Sequence, residues 1–126
     1  MNVLVDTSVW VAHFRQINNV LVSLIERDCV LCHPMVLAEI ACGTPPAPQL
    51  RTLGNLALLG QAHVASWTEV MAFIEREKLY GLGCGFVDIA LLGSACITPD
   101  ATLWTLDKKL SDLARRFNVQ FAPSLH

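Results

Sequence analysis

The sequence has few charged residues and no excess of basic ones. Only 16% of its 126 residues are charged, compared with about 25% in an average globular protein. Apolar residues make up 53%, which excludes an intrinsically disordered chain because disorder requires low hydrophobicity and high charge. The formal net charge of -2 excludes a protein that binds nucleic acid through an overall positive surface. Any phosphate binding must therefore be local.

The sequence also shows no pattern that predicts a membrane span or a secretory signal. The longest uncharged stretch of the C-terminal half, residues 89–99, is far shorter than the roughly 20 residues of a membrane-spanning helix. The opening MNVLVDTSVW has no cationic segment before its apolar residues, so it does not resemble a secretory signal. We therefore expect a soluble, cytoplasmic protein whose five cysteines stay reduced and form no disulfide framework.

Three common cofactor motifs are incomplete. The CVLC segment at residues 29–32 has the spacing of half a zinc or redox site, but no second half follows it. The histidines at positions 13, 33, 63 and 126 have no metal-ligand spacing. The GLGCG segment at residues 81–85 lacks the Lys-Ser/Thr pair of a phosphate-binding P-loop, so it predicts only a flexible connection.

Short apolar runs alternate with segments of helical periodicity. The run at residues 2–5 predicts a buried strand that ends at Asp6, and Thr7 and Ser8 then begin a helix. Further strands are predicted at residues 29–32, 101–105 and 119–121, with an edge strand at 62–65. Further helices are predicted at residues 17–27, 34–42, 50–59, 68–79, 86–97 and 107–117. This order predicts one α/β domain over residues 1–126, a sandwich around a mainly parallel sheet.

Four acidic residues lie in apolar sequence, unlike the other acids, which have the polar neighbours typical of a solvated surface. They are Asp6 after the first strand, Glu39 within MVLAEIA, Asp88 within FVDIALL, and Asp107 after the ATLWT strand. An unpartnered carboxylate that is buried in its ionised form costs several kcal/mol. No basic residue lies next to Glu39 or Asp88 in the sequence, so another group must neutralise them.

A divalent cation is the neutralising group that fits these residues. Ligands of open parallel sheets bind at the carboxyl ends of the strands, where Asp6 and Asp107 are predicted to lie. Flanking helices can direct Glu39 and Asp88 toward the same crevice. A site made of carboxylates and water, without imidazole or thiolate, suits Mg²⁺ or Mn²⁺.

Each of these acids also has a simpler interpretation. Asp6 and Asp107 could merely cap helices, because Asp is a favoured N-cap residue. Glu39 could point outward from its helix, and Asp88 could be protonated or hydrogen-bonded within the core. The four together, at strand ends and in apolar helices, favour the metal site.

The segments that carry these acids resemble those of a known family. VDTSVW at the start, Glu39 after the second strand, GFVDIALL, and the step Thr105-Leu106-Asp107 resemble the PIN-domain nucleases, particularly VapC-type toxins of toxin–antitoxin pairs. The resemblance covers essentially the whole chain and implies a PIN-like α/β/α sandwich with the four acids as its metal site. It also implies that Ser8 and Thr105 orient ligands or water. Leu106 departs from the pattern, since many relatives have a basic residue there.

The same resemblance implies a function. It implies an Mg²⁺-dependent endoribonuclease, a homodimer, and a VapB-type antitoxin whose tail occludes the active-site groove. The carboxylates by themselves imply only metal-assisted phosphoryl chemistry with activated water. Side chains that could hold the RNA backbone are Arg15, Lys108, Lys109, Arg115 and Arg116, although each could equally belong to a solvated helix face. Bases could stack on Trp10, Trp67 or Trp104, unless these are core residues.

Two other function classes compete with this interpretation. One is a PIN-like module that binds RNA or a protein without chemistry, and such a module has no need of metal at the acids. The other is a metal-dependent phosphatase of the haloacid dehalogenase kind, which also begins with an Asp after the first strand. That chemistry uses a second Asp two residues later, where this chain has Ser8.

Overall fold

The computed structural model describes residues 1–123, and residues 124–126, including His126, lie outside the described part. Its strands are β1 Asn2–Val5, β2 Val30–Cys32, β3 Gly60–Gln61 and β4 Ala101–Trp104. Its helices are α1 Thr7–Arg15, α2 Asn19–Glu26, α3 Pro34–Cys42, α4 Gln49–Ala57, α5 Trp67–Glu77, α6 Phe86–Ile97 and α7 Lys108–Arg116. Within residues 1–123, no helix is both long and apolar enough to cross a membrane.

The four strands form one parallel sheet. Their order is β3-β2-β1-β4, with Val3 aligned to Val30 on one side of β1 and to Thr102 on the other. The expected α/β architecture with a mainly parallel sheet, a PIN-like sandwich, is therefore confirmed. Because β1 is central and all strands run the same way, the carboxyl ends of β1 and β4 lie side by side.

The core lies on both sides of β1. Val3, Leu4 and Val5 are fully buried, which explains the continuous apolar run that opens the sequence. Helix α6 packs against β4, and its residues 89–95 are all buried. The predicted all-apolar helix is thus an internal helix, and its first turn, which bears Asp88, emerges where the strands end.

Two predicted strands differ from the structure. The edge strand expected at residues 62–65 is wrong in position, because β3 occupies Gly60–Gln61. Ala65 is instead buried and packs toward Gly93 of α6, so its apolar character reflects contact with a helix. The last strand, expected at residues 119–121, is reduced to a single parallel bridge between Leu103 and Gln120.

A buried histidine joins the second strand to the core helix. His33 is 0% exposed, and its Nδ1 accepts a hydrogen bond from the Met35 backbone N–H, which caps α3. Since Nδ1 is an acceptor, Nε2 carries the proton and donates a hydrogen bond to Ser94 Oγ at 3.0 Å. Ser94 Oγ accepts a second hydrogen bond from the Ala65 backbone N–H. Burial lowers the pKa of His33, so the ring stays neutral in the folded protein.

This burial predicts a loss of stability in acid. Below the unfolded pKa of about 6.5 the unfolded chain binds a proton that folded His33 does not, so stability decreases as pH falls. The melting temperature of the wild type should fall between about pH 7.5 and pH 5.5. We expect the fall to be smaller in His33→Asn, by roughly 3–5 °C. Asn keeps an N-cap acceptor. Equal pH dependence of wild type and variant, followed by circular dichroism, contradicts a neutral buried ring.

Candidate active site

A buried aspartate at the end of β1 is held by three hydrogen bonds. Asp6 is 6% exposed. Its Oδ1 accepts from the Thr7 backbone N–H at 2.8 Å, and its Oδ2 accepts from the Ser8 and Thr105 hydroxyls, each at 2.7 Å. These donors satisfy a carboxylate that has little contact with water, and they fix its position.

The same two hydroxyls shape the turn between β4 and α7. Ser8 Oγ accepts from the Leu106 backbone N–H at 3.0 Å, and Thr105 Oγ1 accepts from the Asp107 backbone N–H at 3.1 Å. Each hydroxyl therefore donates to Asp6 and accepts from the turn. As a result, the positions of Asp6 and Asp107 relative to each other depend on two short polar side chains.

Three aspartates lie at helix N-termini. Asp88 is the third residue of α6, and its Oδ2 accepts from the Gly85 backbone N–H at 3.3 Å. Asp107 precedes α7, and its Oδ1 accepts from the Leu110 backbone N–H at 2.9 Å. Asp6 is the N-cap of α1 and accepts from the Thr7 backbone N–H, so the helix-capping interpretation of Asp6 and Asp107 describes their geometry correctly. Each helix end stabilises a nearby negative charge by about 0.3–1 kcal/mol.

Glu39 differs from the aspartates because it lies within α3 and is exposed. Its Oε1 accepts a hydrogen bond from Thr7 Oγ1 at 2.7 Å, which joins α3 to the first turn of α1. Thr7 is a contact that the sequence analysis did not assign to the site. Its position next to Asp6 was the available signal.

Asp88 is the acid whose ionisation the other three, Asp6, Glu39 and Asp107, influence. The pKa of Asp88 is raised above its ordinary value, first by partial burial and then by the negative charges of the other three. The hydrogen bond from the Gly85 N–H opposes this shift. The other three acids, which come from separate segments, therefore lie near enough to Asp88 for their charges to add to the effect of its burial and disfavour its ionisation.

In the described part of the chain, no basic side chain neutralises the four acids. Within residues 1–123, none of them forms an ion pair, whereas the acids at positions 77, 100 and 112 all do. The second oxygens of Asp88 and Asp107 also have no hydrogen-bond partner in the described part of the chain. The site thus combines unneutralised negative charge with free carboxylate oxygens.

The donor chemistry of the four acids fits a hard divalent cation that keeps water ligands. Among residues 1–123, no three Asp, Glu, His or Cys side chains are arranged closely enough to hold a metal by themselves. Mg²⁺ usually retains several waters and is bound through only one or two carboxylates. The two free aspartate oxygens match that requirement, and a complete protein cage is not needed.

The five predicted RNA-contacting cations are in different environments. Lys108 and Arg115 both pair with Asp112, at 3.7 and 2.8 Å. Arg116 donates to the Glu77 carbonyl at 3.1 Å and contacts its carboxylate at 3.6 Å. Arg115 and Arg116 lie in the last turn of α7, at the opposite end of this helix from Asp107. These three cations are therefore engaged with acidic residues of α5 and α7.

The other two cations lie beside the acids. Arg15 and Glu39 line one cleft of about 390 Å³ between α1 and the segment after α3. The Lys109 side chain lies over Gly83, in the loop that precedes Asp88. Neither Arg15 nor Lys109 forms an ion pair in the part of the chain that the structure covers.

The three tryptophans are not equivalent. Trp10 and Trp104 are each 2% exposed and belong to the core, so they offer no surface for a base. Trp67 is 67% exposed and packs on Phe86 with ring centroids 4.6 Å apart. Phe86 and Asp88 are two positions apart in α6, so the aromatic pair and the carboxylate point to nearly opposite sides of the helix.

Comparison with known proteins gives a clear relative. The chain is 40% identical over 120 residues to Ribonuclease VapC32 of Mycobacterium tuberculosis, in both the CDC 1551 / Oshkosh strain and the H37Rv strain. The aligned region covers 95% of this chain and 96% of the relative. No protein-family model matches the chain.

The raised pKa of Asp88 predicts a variant that is more stable than the wild type. In the absence of divalent metal at neutral pH, Asp88→Asn removes the cost of partly burying a charged carboxylate and its repulsion by the other acids, but it can still accept the Gly85 hydrogen bond. We therefore expect its melting temperature to be higher than that of the wild type. Since the folded pKa is raised, the wild type should become more stable as pH falls through it, and the variant should lose this dependence.

Magnesium should reverse this order of stability. An ion that binds only the folded protein raises the melting temperature of the wild type, and the effect should be smaller for Asp88→Asn. Asp28→Asn, an exposed acid outside the site, serves as the control and should behave like the wild type. Differential scanning calorimetry with EDTA or Mg²⁺ measures each effect. A less stable Asp88→Asn protein in EDTA contradicts the assigned repulsion.

Proposed function

This chain belongs to the VapC family of PIN-domain ribonucleases, and on that premise we propose that it is an Mg²⁺-dependent endoribonuclease, the toxin of a toxin–antitoxin pair. The observation that supports the proposal best is the meeting of four carboxylates without a basic partner in residues 1–123. Repulsion of this kind disfavours the folded state. A nuclease could retain such a cluster of carboxylates because they bind the divalent cation that it needs for catalysis.

The four acids are the residues that would hold the metal, Glu39 directly or through water. When bound, Mg²⁺ or Mn²⁺ supplies charge neutralisation and activates water for in-line attack on a phosphodiester. Asp6 is fixed by its three donors, so it is positioned before substrate binds. Asp88 and Asp107 each have one carboxylate oxygen without a hydrogen-bond partner within residues 1–123, and these oxygens would be available to the metal. The reaction needs no covalent enzyme intermediate.

Ser8 and Thr105 act in this mechanism as positioning residues. Their hydroxyl protons are committed to Asp6 and their oxygens to the backbone of the turn before α7. They therefore hold the Asp6 carboxylate in one orientation. Supporting hydrogen bonds of this kind commonly contribute 10–100-fold in metal affinity or activity, as an order of magnitude.

The RNA backbone would contact the cations that lie without ion pairs beside the acids. Arg15 is placed at the Glu39 side of the site, and Lys109 at the side formed by the loop before α6. A phosphate chain that crosses the four acids would pass between these two cations. Local positive charge is required because the chain as a whole is acidic.

The protein partners follow from the family. We propose a VapB-type antitoxin that covers the acidic site, and a homodimer of this chain in the cytoplasm. Exposed apolar side chains support a further subunit contact, since monomers rarely expose large apolar patches. On and beside α5 and α6 these are Val64, Trp67, Met71 and Ile97.

The cleavage reaction provides the first test. Asp6→Asn and Asp88→Asn should each reduce cleavage of RNA by about 100-fold or more, because both alter proposed metal ligands. Asp28→Asn should cleave like the wild type. Cleaved ends are mapped by sequencing the RNA after brief expression. Cleavage at the wild-type rate by either site variant contradicts the assignment.

Metal titration separates the nuclease from a module that only binds. Isothermal titration should detect Mn²⁺ binding to the wild type and weaker binding to Asp88→Asn. A PIN-like module without chemistry would bind RNA or protein equally well with EDTA present. Absence of Mn²⁺ binding to the wild-type protein favours that alternative.

The role of Thr105 predicts a conservative variant with a large effect. Thr105→Val keeps the shape of the side chain but removes the donor to Asp6 and the acceptor for the Asp107 N–H. We expect cleavage to decrease by roughly 10–100-fold while the fold is retained. Thr102→Val in β4, whose hydroxyl makes only a 3.5 Å contact with Asn2, is the matched control. Equal activity of the two variants excludes the positioning role.

A further inference from the structure

We propose that Gly83 positions Lys109 to bind a phosphate of the RNA beside the four acids, an inference that rests on the ribonuclease function proposed above. Gly83 has no side chain, and the Lys109 side chain occupies the space that one would fill. Gly83 and Lys109 belong to separate segments, the loop before α6 and the first turn of α7.

The contact between the two residues is close. A Cβ added to Gly83 would lie 2.6 Å from Lys109 Nζ, 2.8 Å from Cδ and 3.1 Å from Cε. Carbon and nitrogen atoms do not approach to 2.6 Å without bonding, so a side chain at this position would displace the ammonium group. Lysine is flexible, so the lysine would move and the loop could keep its course.

Lys109 differs from the other cations of its helix because it is free. Lys108, Arg115 and Arg116 are all engaged with acidic residues. Within residues 1–123, no carboxylate lies at ion-pair distance from Lys109 Nζ. Its charge is therefore available to a ligand, and it does not neutralise the four acids.

The position of Lys109 relative to the acids follows from the residues around it. The loop that Lys109 contacts continues into Gly85, whose N–H binds Asp88. Cys84 lies between Gly83 and Gly85. Burial, and then the charges of Asp88 and Asp107, raise the pKa of its thiol, and the charge of Lys109 lowers it. The ammonium group thus shares one neighbourhood with two of the proposed metal ligands.

To bind RNA, this site requires a cation that lies near the four acids without pairing with them. A lysine paired directly with the acids would compete with the metal for their oxygens. One that is displaced from them can instead attract a phosphate to a region that is otherwise negative. Because it is a point charge on a flexible stem, it would recognise the backbone and not the base.

Salt-dependent RNA binding tests the role of Lys109. Affinity of labelled single-stranded RNA is measured by fluorescence anisotropy, with Mg²⁺, in the Asp88→Asn background so that the RNA stays intact. One lost phosphate contact should reduce the slope of log affinity against log salt by about 0.7, and the affinity by about 4-fold near 0.15 M salt. We expect Lys109→Gln to show both effects.

Lys78→Gln is the matched control for loss of one lysine charge. Lys78 follows α5 next to Glu77, which contacts Arg116 at the far end of α7 from Lys109. This variant should keep the affinity and the salt slope of its parent. Equal slopes for Lys109→Gln and its parent, or equal losses in the Lys109 and Lys78 variants, overturn the proposal.

Two glycine variants test whether Gly83 acts through Lys109. Gly81 and Gly83 both have positive φ, +71° and +83°, but a Cβ at Gly81 would meet nothing within 4 Å. Gly83→Ala displaces the ammonium group but keeps its charge, so it should weaken RNA binding in the same direction as Lys109→Gln and by no more, whereas Gly81→Ala controls for backbone strain and should not weaken it. In the double variant Gly83→Ala/Lys109→Gln, the loss should equal that of Lys109→Gln alone. Additive losses show that Gly83 acts independently and contradict its positioning role.

Cleavage kinetics distinguish this inference from the proposed function. In the otherwise wild-type protein, Lys109→Gln should raise KM by a similar factor of about 4 near physiological salt. If the wild type cleaves no RNA but Lys109→Gln still changes the salt slope of binding, the ribonuclease function is wrong and the phosphate site is retained. If the wild type cleaves RNA and the slope is unchanged, only the present inference is wrong.

Discussion

Repulsion among four carboxylates is the constraint on which the rest of this structure depends. Asp6, Glu39, Asp88 and Asp107 come from four separate segments and have no basic partner within residues 1–123. The fold offsets part of this cost with three helix N-termini, each of which meets one aspartate. Partial burial and the charges of the other three acids still raise the pKa of Asp88, and the proposed divalent cation would neutralise these charges.

The hydroxyl groups of Ser8 and Thr105 hold the Asp6 carboxylate in place. Ser8 and Thr105 join the ends of the two adjacent strands β1 and β4, and both donate to the same oxygen of Asp6. Short hydroxyl side chains are suitable because each can donate to the carboxylate and accept from the backbone at the same time. The same residues therefore stabilise the strand ends and position the candidate site, which links the stability of the fold to its proposed chemistry.

Most of the fold could be predicted because local signals were strong. The apolar run at residues 2–5, Pro34 at a helix start and the apolar helix at 86–97 all lie where expected. The edge strand was misplaced because the small apolar residues at 62–65 pack on α6 instead of pairing in the sheet. Pairing at a sheet edge depends on neighbours that periodicity does not reveal.

The sequence by itself determined the α/β order, which depends on local residue patterns, and it identified the four acids as candidates because each lies in apolar sequence. Tertiary structure decided which cations are free. Lys108 and Lys109 are adjacent and chemically identical, yet one pairs with Asp112 and the other lies over Gly83. The difference arises because successive residues of a helix point about 100° apart, so they meet different segments of the chain.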